Sequence, residues 1–206
     1  GFPDDVIEVM AHEPKICKYL DIPFQHISDA QLKAMKRRHT KADALALIER
    51  LRERIPDIAL RTTLLVGYPT ETEQDMQELE QFVRDVRFDR LGVFAYSEEE
   101  GTYSARELRD DVPEEEKQRR VDRIMRLQEG ISLENNLARV GRTMRVIVDS
   151  RQGDYYVARS QYDSPEVDQE ILIPAAAHQL RRGHFYDARI TAAEDYDLYG
   201  EVVPRR

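Results

Sequence analysis

From Lys18 to Ser97 short apolar runs alternate with amphipathic stretches, the pattern of parallel strands joined by crossover helices. The first run is Tyr19-Leu20-Asp21-Ile22-Pro23-Phe24. Ser28 reads as the N-cap of a short helix through Arg38. Thr40, with Asp43 three places on, opens a second helix carrying Leu45, Leu47, Ile48 and Leu51, which Pro56 stops. Ile58 to Gly67 is too long and too β-branched at its centre for a helix and reads as a strand; Gly67, Tyr68 and Pro69 make the turn after it. Thr72 then caps a helix whose apolar residues Met76, Leu79, Phe82, Val83 and Val86 recur at helical spacing, and Asp89 to Ser97 returns as a strand. From Pro113 a long charged helix runs towards Arg139, with Val121, Ile124, Leu127, Ile131 and Leu137 as its apolar stripe.

Near Val140 the period changes from helical to alternating. Gly141, Gly153, Gly183 and Gly200 punctuate segments rich in valine, isoleucine and tyrosine, and five strands are predicted at about 142–150, 154–160, 169–174, 184–191 and 196–203. Five short strands are the size of a small closed β-barrel. The expected architecture is an α/β part over residues 1–139 and a β-barrel over 140–206.

Composition narrows the function classes. A chain of 206 residues holds one large domain or two unequal ones. Its net charge is -9, and the barrel segment, with nine basic and eleven acidic residues, contributes -2 of that, so neither part carries the cation excess that phosphate-driven binding needs. An acidic surface suits a basic protein partner instead. The longest stretch free of charge, Ile171 to Leu180, is half of what a membrane-spanning helix requires. Gly1 to Glu13 carries four acidic residues and no basic region ahead of an apolar core, unlike a signal peptide. Cys17, alone, forms no internal disulfide and fits a reducing cytoplasm; it cannot by itself hold an iron–sulfur cluster or a structural zinc.

Ligands of parallel sheets sit at the carboxyl ends of the strands, which singles out three loops: Gln25 to Ser28, Gly67 to Glu71, and Ser97 to Thr102. On the central strand Arg61, Thr63 and Leu65 share a side. Arg61 either faces a ligand there or reaches solvent from the strand's start. His26 is an acid, base or ligand candidate, with a hydrogen-bonded structural role as the commoner alternative. Glu98 to Glu100 reads first as a solvated run. The sequence has no glycine-rich phosphate loop, nucleophile elbow or paired-histidine metal motif. Residue physics alone therefore yields half of an α/β barrel plus a β-barrel.

The residues themselves resemble a known family. Leu20-Asp21-Ile22-Pro23-Phe24-Gln25-His26-Ile27-Ser28, followed by Leu32 to Arg38, looks like the fourth-strand segment of the radical S-adenosylmethionine methylthiotransferases. Arg61 to Thr72 resembles their next strand and turn, and Phe94 to Thr102 the sixth. The stretch from 140 resembles their TRAM domain, an antiparallel, OB-like five-stranded barrel. Within it Arg159-Ser160-Gln161-Tyr162-Asp163-Ser164-Pro165-Glu166-Val167-Asp168 and the ending Tyr196 to Glu201 look most like the branch that adds a methylthio group to the β-carbon of an aspartate in ribosomal protein S-twelve. A sister branch modifies an adenosine in transfer RNA.

The resemblance implies the carboxy-terminal half of a radical-SAM partial TIM barrel over 1–139 and a TRAM domain over 140–206. It implies S-adenosylmethionine and two four-iron four-sulfur clusters in a longer parent. Both cysteine triplets that hold those clusters are missing from this sequence, so a carboxy-terminal fragment, inactive alone, is expected. The resemblance assigns Gln25, Ser28, Arg61, Thr63 and Leu65 to the cofactor. Arg159, Tyr162, Asp163, Glu166 and Asp168 are the candidates for contact with the client protein, with turn formation around Pro165 as the alternative role of Glu166 and Asp168. Ribosomal protein S-twelve is the expected partner, and transfer RNA is disfavoured by the barrel's charge. A free-standing TRAM-type nucleic-acid module is the alternative from another class. A metabolic barrel enzyme is a further one, disfavoured for want of a phosphate-binding turn. Three strands of a half barrel leave an open edge, which predicts self-association through it or disorder near residues 1–24.

Overall fold

Thr40 and Thr72 open helices as their spacing to Asp43 and Asp75 requires. In a computed structural model, which describes residues 2–204, each forms a reciprocal capping box: the threonine hydroxyl accepts from the aspartate amide, and the aspartate carboxylate accepts from the threonine amide. The two helices are α3 (Lys41–Arg54) and α4 (Glu73–Val86). They separate three strands, β1 (Tyr19–Asp21), β2 (Ala59–Val66) and β3 (Arg90–Ala95), in one sheet of order β1-β2-β3. β2 and β3 pair parallel, with Arg61 opposite Arg90, Thr63 opposite Gly92 and Leu65 opposite Phe94.

Alternation along β2 sets the two faces of this sheet. Thr62, Leu64 and Val66 are buried, in one core with Met76, Leu79, Phe82 and Val83 of α4 and Ile48 and Leu51 of α3. Arg61, Thr63 and Leu65 lie half-exposed on the other face, which Phe94, 59% exposed, shares by register.

The amino-terminal stretch is ordered rather than loose. Helix α1 (Asp4–His12) buries Ile7 and Met10, and Arg50 and Arg54 of α3 pair with its Asp4 and Glu8. An apolar stripe with somewhere to dock overrides the expectation of disorder there. Helix α2 (Asp29–Ala34) stops four residues before the predicted Arg38, because Lys36 turns left-handed at φ 56°. Thr102 caps a short helix, α5 (Tyr103–Glu107), that periodicity could not register over five residues. In α6 (Glu114–Leu137) the stripe differs from the apolar one read from sequence: Leu137 is 53% exposed, while Lys117, Arg120, Gln128 and Asn136 are buried alongside Ile124 and Ile131. In α3, likewise, Leu45 is exposed and Ala44 buried.

The strands β4 (Thr143–Gln152), β5 (Tyr155–Ser160), β6 (Ile171–Pro174), β7 (Phe185–Ala193) and β8 (Leu198–Val202) close into a barrel of order β4-β5-β6-β8-β7. Four of its five pairings are antiparallel. The fifth, β6 with β8, is parallel, Ile171 against Leu198 and Leu172 against Tyr199, so the expected five-stranded barrel closes through one parallel seam. The cause is parity: a closed ring with an odd number of strands cannot alternate direction all the way round. Val146, Val148, Ala158, Ile171, Ile173, Ala188, Ile190 and Leu198 fill the interior.

By packing, the chain divides into two units. One comprises the stretch up to His12 and Leu20–Gln128; the other comprises Glu13–Tyr19 and the chain from Glu129 onward. The last turns of α6 thus group with the barrel, where the Asn136 side-chain amide donates to the Glu194 carbonyl at 2.9 Å. The ends of the ranges read from sequence, Gly1 and Arg205–Arg206, lie outside the described residues.

Candidate functional site

A cleft of about 580 Å³ opens where β2 and β3 end. Gln25, Tyr68, Ser97, Glu99 and Thr102 line it, so the three loops singled out from sequence meet at one place. Leu65, Phe94 and Tyr96 come from the strand ends, Met35, Lys36 and Arg37 from the turn after α2, and Tyr103 and Ser104 from α5. Gln25 is fixed by backbone pairing. Its N–H donates to the Thr63 carbonyl at 2.9 Å, its carbonyl accepts from Leu65 N–H at 2.7 Å, and its φ of 69° turns the chain sharply there.

Of the five residues assigned to a cofactor, Gln25 and Leu65 line the cleft, while Arg61 and Thr63 share the face of β2 with Leu65 but are not among the lining residues. Arg61 is anchored by Asp21 across β1, Nη1 to Oδ2 at 2.6 Å, with both side chains partly exposed. Ser28 is held elsewhere. It begins α2 without capping it; its hydroxyl is buried and donates to Asp75 Oδ1 at 2.5 Å.

Ser28 belongs to a polar core beneath the cleft that periodicity gave no reason to expect. Asp75 Oδ2 accepts from the Thr72 amide at 2.8 Å and the Thr72 hydroxyl at 2.6 Å. His26 is fully buried. The amides of Ile27 and Ser28 donate to its Nδ1 at 2.9 and 3.0 Å, which leaves the ring proton on Nε2, facing Glu71 Oε1 at 3.2 Å. Glu71 also accepts from the Gly67 amide and, at 2.9 Å, from Arg120 Nη1. With both ring nitrogens engaged, His26 is a structural residue in this arrangement. Lys117 and Arg120 were missed in the sequence, where each is one charged residue among many; Glu71 closes one of the loops singled out there, and Thr72 was read as a cap without its partner Asp75.

Burial alone would raise the Asp75 carboxyl, but the hydrogen bonds from Ser28 and Thr72 outweigh it and hold the group below its usual 3.8. A depressed carboxyl adds stability above the unfolded value and loses it as pH falls through the folded one. Asp75→Asn should therefore flatten the acid limb of unfolding below about pH 4, measured as denaturation midpoint against pH.

In the barrel, Asp163 and Asp168 fold the loop that carries them. Asp163 is buried and accepts from the Ser160 hydroxyl at 2.6 Å; Asp168 accepts from the Ser164 amide at 2.8 Å. Glu166 (φ 64°) and Val167 are presented at the loop's exposed tip. Arg159 pairs with Asp149 at 2.9 Å, and the Tyr162 hydroxyl accepts from Gln161 at 3.2 Å while Arg139 lies 5.7 Å from its ring. The loop thus separates two acidic residues with internal partners from one that faces outward.

Two sequence families match this arrangement in order: the Radical SAM superfamily over residues 1–83 and the TRAM domain over residues 140–203. The combination defines a radical-SAM protein that carries a TRAM barrel. Proteins from Bacteroides thetaiotaomicron, Parabacteroides distasonis and Phocaeicola vulgatus, each named ribosomal protein uS12 methylthiotransferase RimO, are 51%, 54% and 50% identical to the chain over 202 residues. Each alignment covers 98% of this chain and 46–47% of the relative, so the chain spans about half the length of the curated relatives it matches. The chain belongs to the radical S-adenosylmethionine methylthiotransferase family, in its RimO-type branch.

Proposed function

We propose that this chain forms the cofactor-cradling and client-recruiting part of an enzyme that adds a methylthio group to the β-carbon of an aspartate in ribosomal protein uS12. The observation that carries the reading is the 51% identity to a protein of that name over 98% of the chain, through both the sheet and the barrel. Residues 1–139 are the radical-SAM part and residues 140–206 the TRAM part in this reading.

The open face of the sheet suits S-adenosylmethionine. Polar Arg61 and Thr63 lie beside apolar Leu65 and exposed Phe94. Arg61 holds the cofactor's carboxylate through its planar fork, Gln25 and Thr63 contact its polar groups, and Leu65 packs against its adenine. Ser28 serves the same site from below, by fixing Asp75 and the start of α4.

Bound together, the cofactor and a reduced four-iron four-sulfur cluster supply a radical that breaks an unactivated C–H bond. Among the described residues no group of three or more His, Cys, Asp or Glu side chains is placed to hold a metal, so the two clusters of this reading find no ligand set there. This chain's own share is to bind, orient and shield from water.

The client is a lysine- and arginine-rich protein, met by Arg159, Tyr162 and Glu166 of the barrel loop, whose fold Asp163 and Asp168 hold from inside; transfer RNA is not its ligand, and the reaction belongs to the cytoplasm where ribosomes are built. The test uses the full-length enzyme, reconstituted without oxygen and supplied with uS12. The expected product is uS12 heavier by one methylthio group in place of one hydrogen. Modification of transfer RNA in its place would overturn the reading.

A second measurement addresses Arg61 alone. Its pair with Asp21 is partly exposed and contributes at most about 1 kcal/mol, so Arg61→Ala should fold normally. In the full-length enzyme it should weaken S-adenosylmethionine binding by about tenfold, read by calorimetry. An unchanged Kd would remove Arg61 from the site.

A further inference from the structure

We infer that Lys36 and Arg37 recognise the carboxylate of the client's aspartate, making the cleft selective for aspartate over asparagine; this rests on the reading given under Proposed function. The first observation is the turn that carries them. Lys36 N–H donates to the Lys33 carbonyl at 3.1 Å and Arg37 N–H to the Leu32 carbonyl at 2.8 Å, the paired bonds of a Schellman ending to α2. That ending calls for a left-handed residue, and glycine is the usual one. Here the position is Lys36, at φ 56°. A side chain there costs about 1 kcal/mol relative to glycine, so the turn chemistry does not explain the lysine.

The second observation is what the two cations face. Both line the cleft, and neither forms an ion pair among the described residues; the Lys36 ammonium rests 4.1 Å from the centre of the Tyr103 ring. Glu99 is the one acidic residue lining this cleft, which makes it locally cationic in a chain of net charge -9. The third observation is independent of charge. Tyr96, 6% exposed, lines the same cleft, and its hydroxyl has no hydrogen-bond partner among the described residues. Two unpaired cations and an unpartnered buried hydroxyl together ask for a small anion with spare acceptor oxygens.

A carboxylate meets that description, and two are at hand in the proposed reaction: that of the client's aspartate and that of the cofactor's methionyl group. The client's is assigned here, because Arg61, which lies on the sheet outside this turn and outside the cleft's lining, serves the cofactor in the proposed reading. A carboxylate gripped by Arg37 and Lys36 presents the carbon next to it, the one that is modified. Lys36 and Arg37 are thus specificity residues rather than groups that move protons.

The test measures binding by the full-length holoenzyme to two client peptides that differ only in aspartate or asparagine at the modified position, and to S-adenosylmethionine. Lys36→Gly keeps the left-handed turn and should fold at least as well as the parent; Arg37→Gln is the second variant. The parent should bind the aspartate peptide about tenfold more tightly, and each variant should lose most of that preference with an unchanged Kd for S-adenosylmethionine. If Lys36→Gly and Arg37→Gln both keep the preference, the assignment fails alone. If they weaken the cofactor instead, the carboxylate is the cofactor's and the assignment is overturned. A parent that binds neither peptide overturns the proposed client together with the assignment.

Discussion

Glu71→Ala is expected to destabilise the sheet-bearing unit by about 3–5 kcal/mol, the largest effect of any single carboxylate in it. The Glu71 side chain has no exposed surface and accepts from three directions: His26 Nε2, the Gly67 amide and Arg120 Nη1. Removing it strands a nearly buried guanidinium, whose remaining carboxylate is Glu116 at 3.0 Å, and leaves the His26 Nε2 proton without an acceptor. Deprived partners inside a protein cost far more than the contact itself contributes. Arg123 offers the contrast: it bridges Glu73 and Glu80 at 2.8 and 2.7 Å, and Glu73, beside it, is more than half exposed. Glu73→Ala should therefore cost no more than about 1 kcal/mol. Urea titration of both variants decides the matter. The Glu71 change should lower the midpoint severalfold more than the Glu73 change, with similar slopes; equal shifts would mean that the buried network is not what holds the loops at the strand ends.

Gly67→Ala should cost about 2–4 kcal/mol although it adds a single methyl group. Gly67 ends β2 with φ 72°, where a side chain is strained whatever the space around it. There is also no space: a Cβ would collide with Lys117 Cγ and stand 3.0 Å from Lys117 Cβ. These are the inner atoms of that side chain, and its buried far end is tied to partly exposed Asp110 at 2.6 Å. The clash can be relieved only by moving α6 or breaking the pair. Thermal unfolding and the exchange of the Gly67 amide would report the loss; a variant as stable as the parent would show that α6 yields freely at Lys117.

The elements of the first unit that could be read in the sequence are those whose signal is local. Thr40 with Asp43 and Thr72 with Asp75 are capping boxes written within four residues, and the α4 stripe of Met76, Leu79, Phe82, Val83 and Val86 is buried throughout. Alternation on β2 likewise separated Arg61, Thr63 and Leu65 from the buried side. What escaped is the polar interior. Lys117, Arg120 and Asn136 are buried on α6 because their partners come from elsewhere in the chain, Asp110, Glu71 and the Glu194 carbonyl. A hydrophobicity pattern scores them as surface. The same blindness put Leu137 inside and missed that the Ser28 hydroxyl serves Asp75. For the candidate site, the strand-end loops were legible from topology, whereas Lys36 and Arg37 came into view only once the helix was seen to end at Ala34.

The parallel pairing of β6 with β8 has an electrostatic outcome. Two strands that run side by side in one direction are entered from the same end, so the segments leading into them, 161–170 and 194–197, converge there, with the Glu170 amide donating to Asp197 at 3.1 Å. Seven of the eleven acidic residues after position 139 fall in those two segments. An odd strand count therefore pools most of the barrel's negative charge at one mouth, and the modest net charge of the whole barrel conceals that concentration.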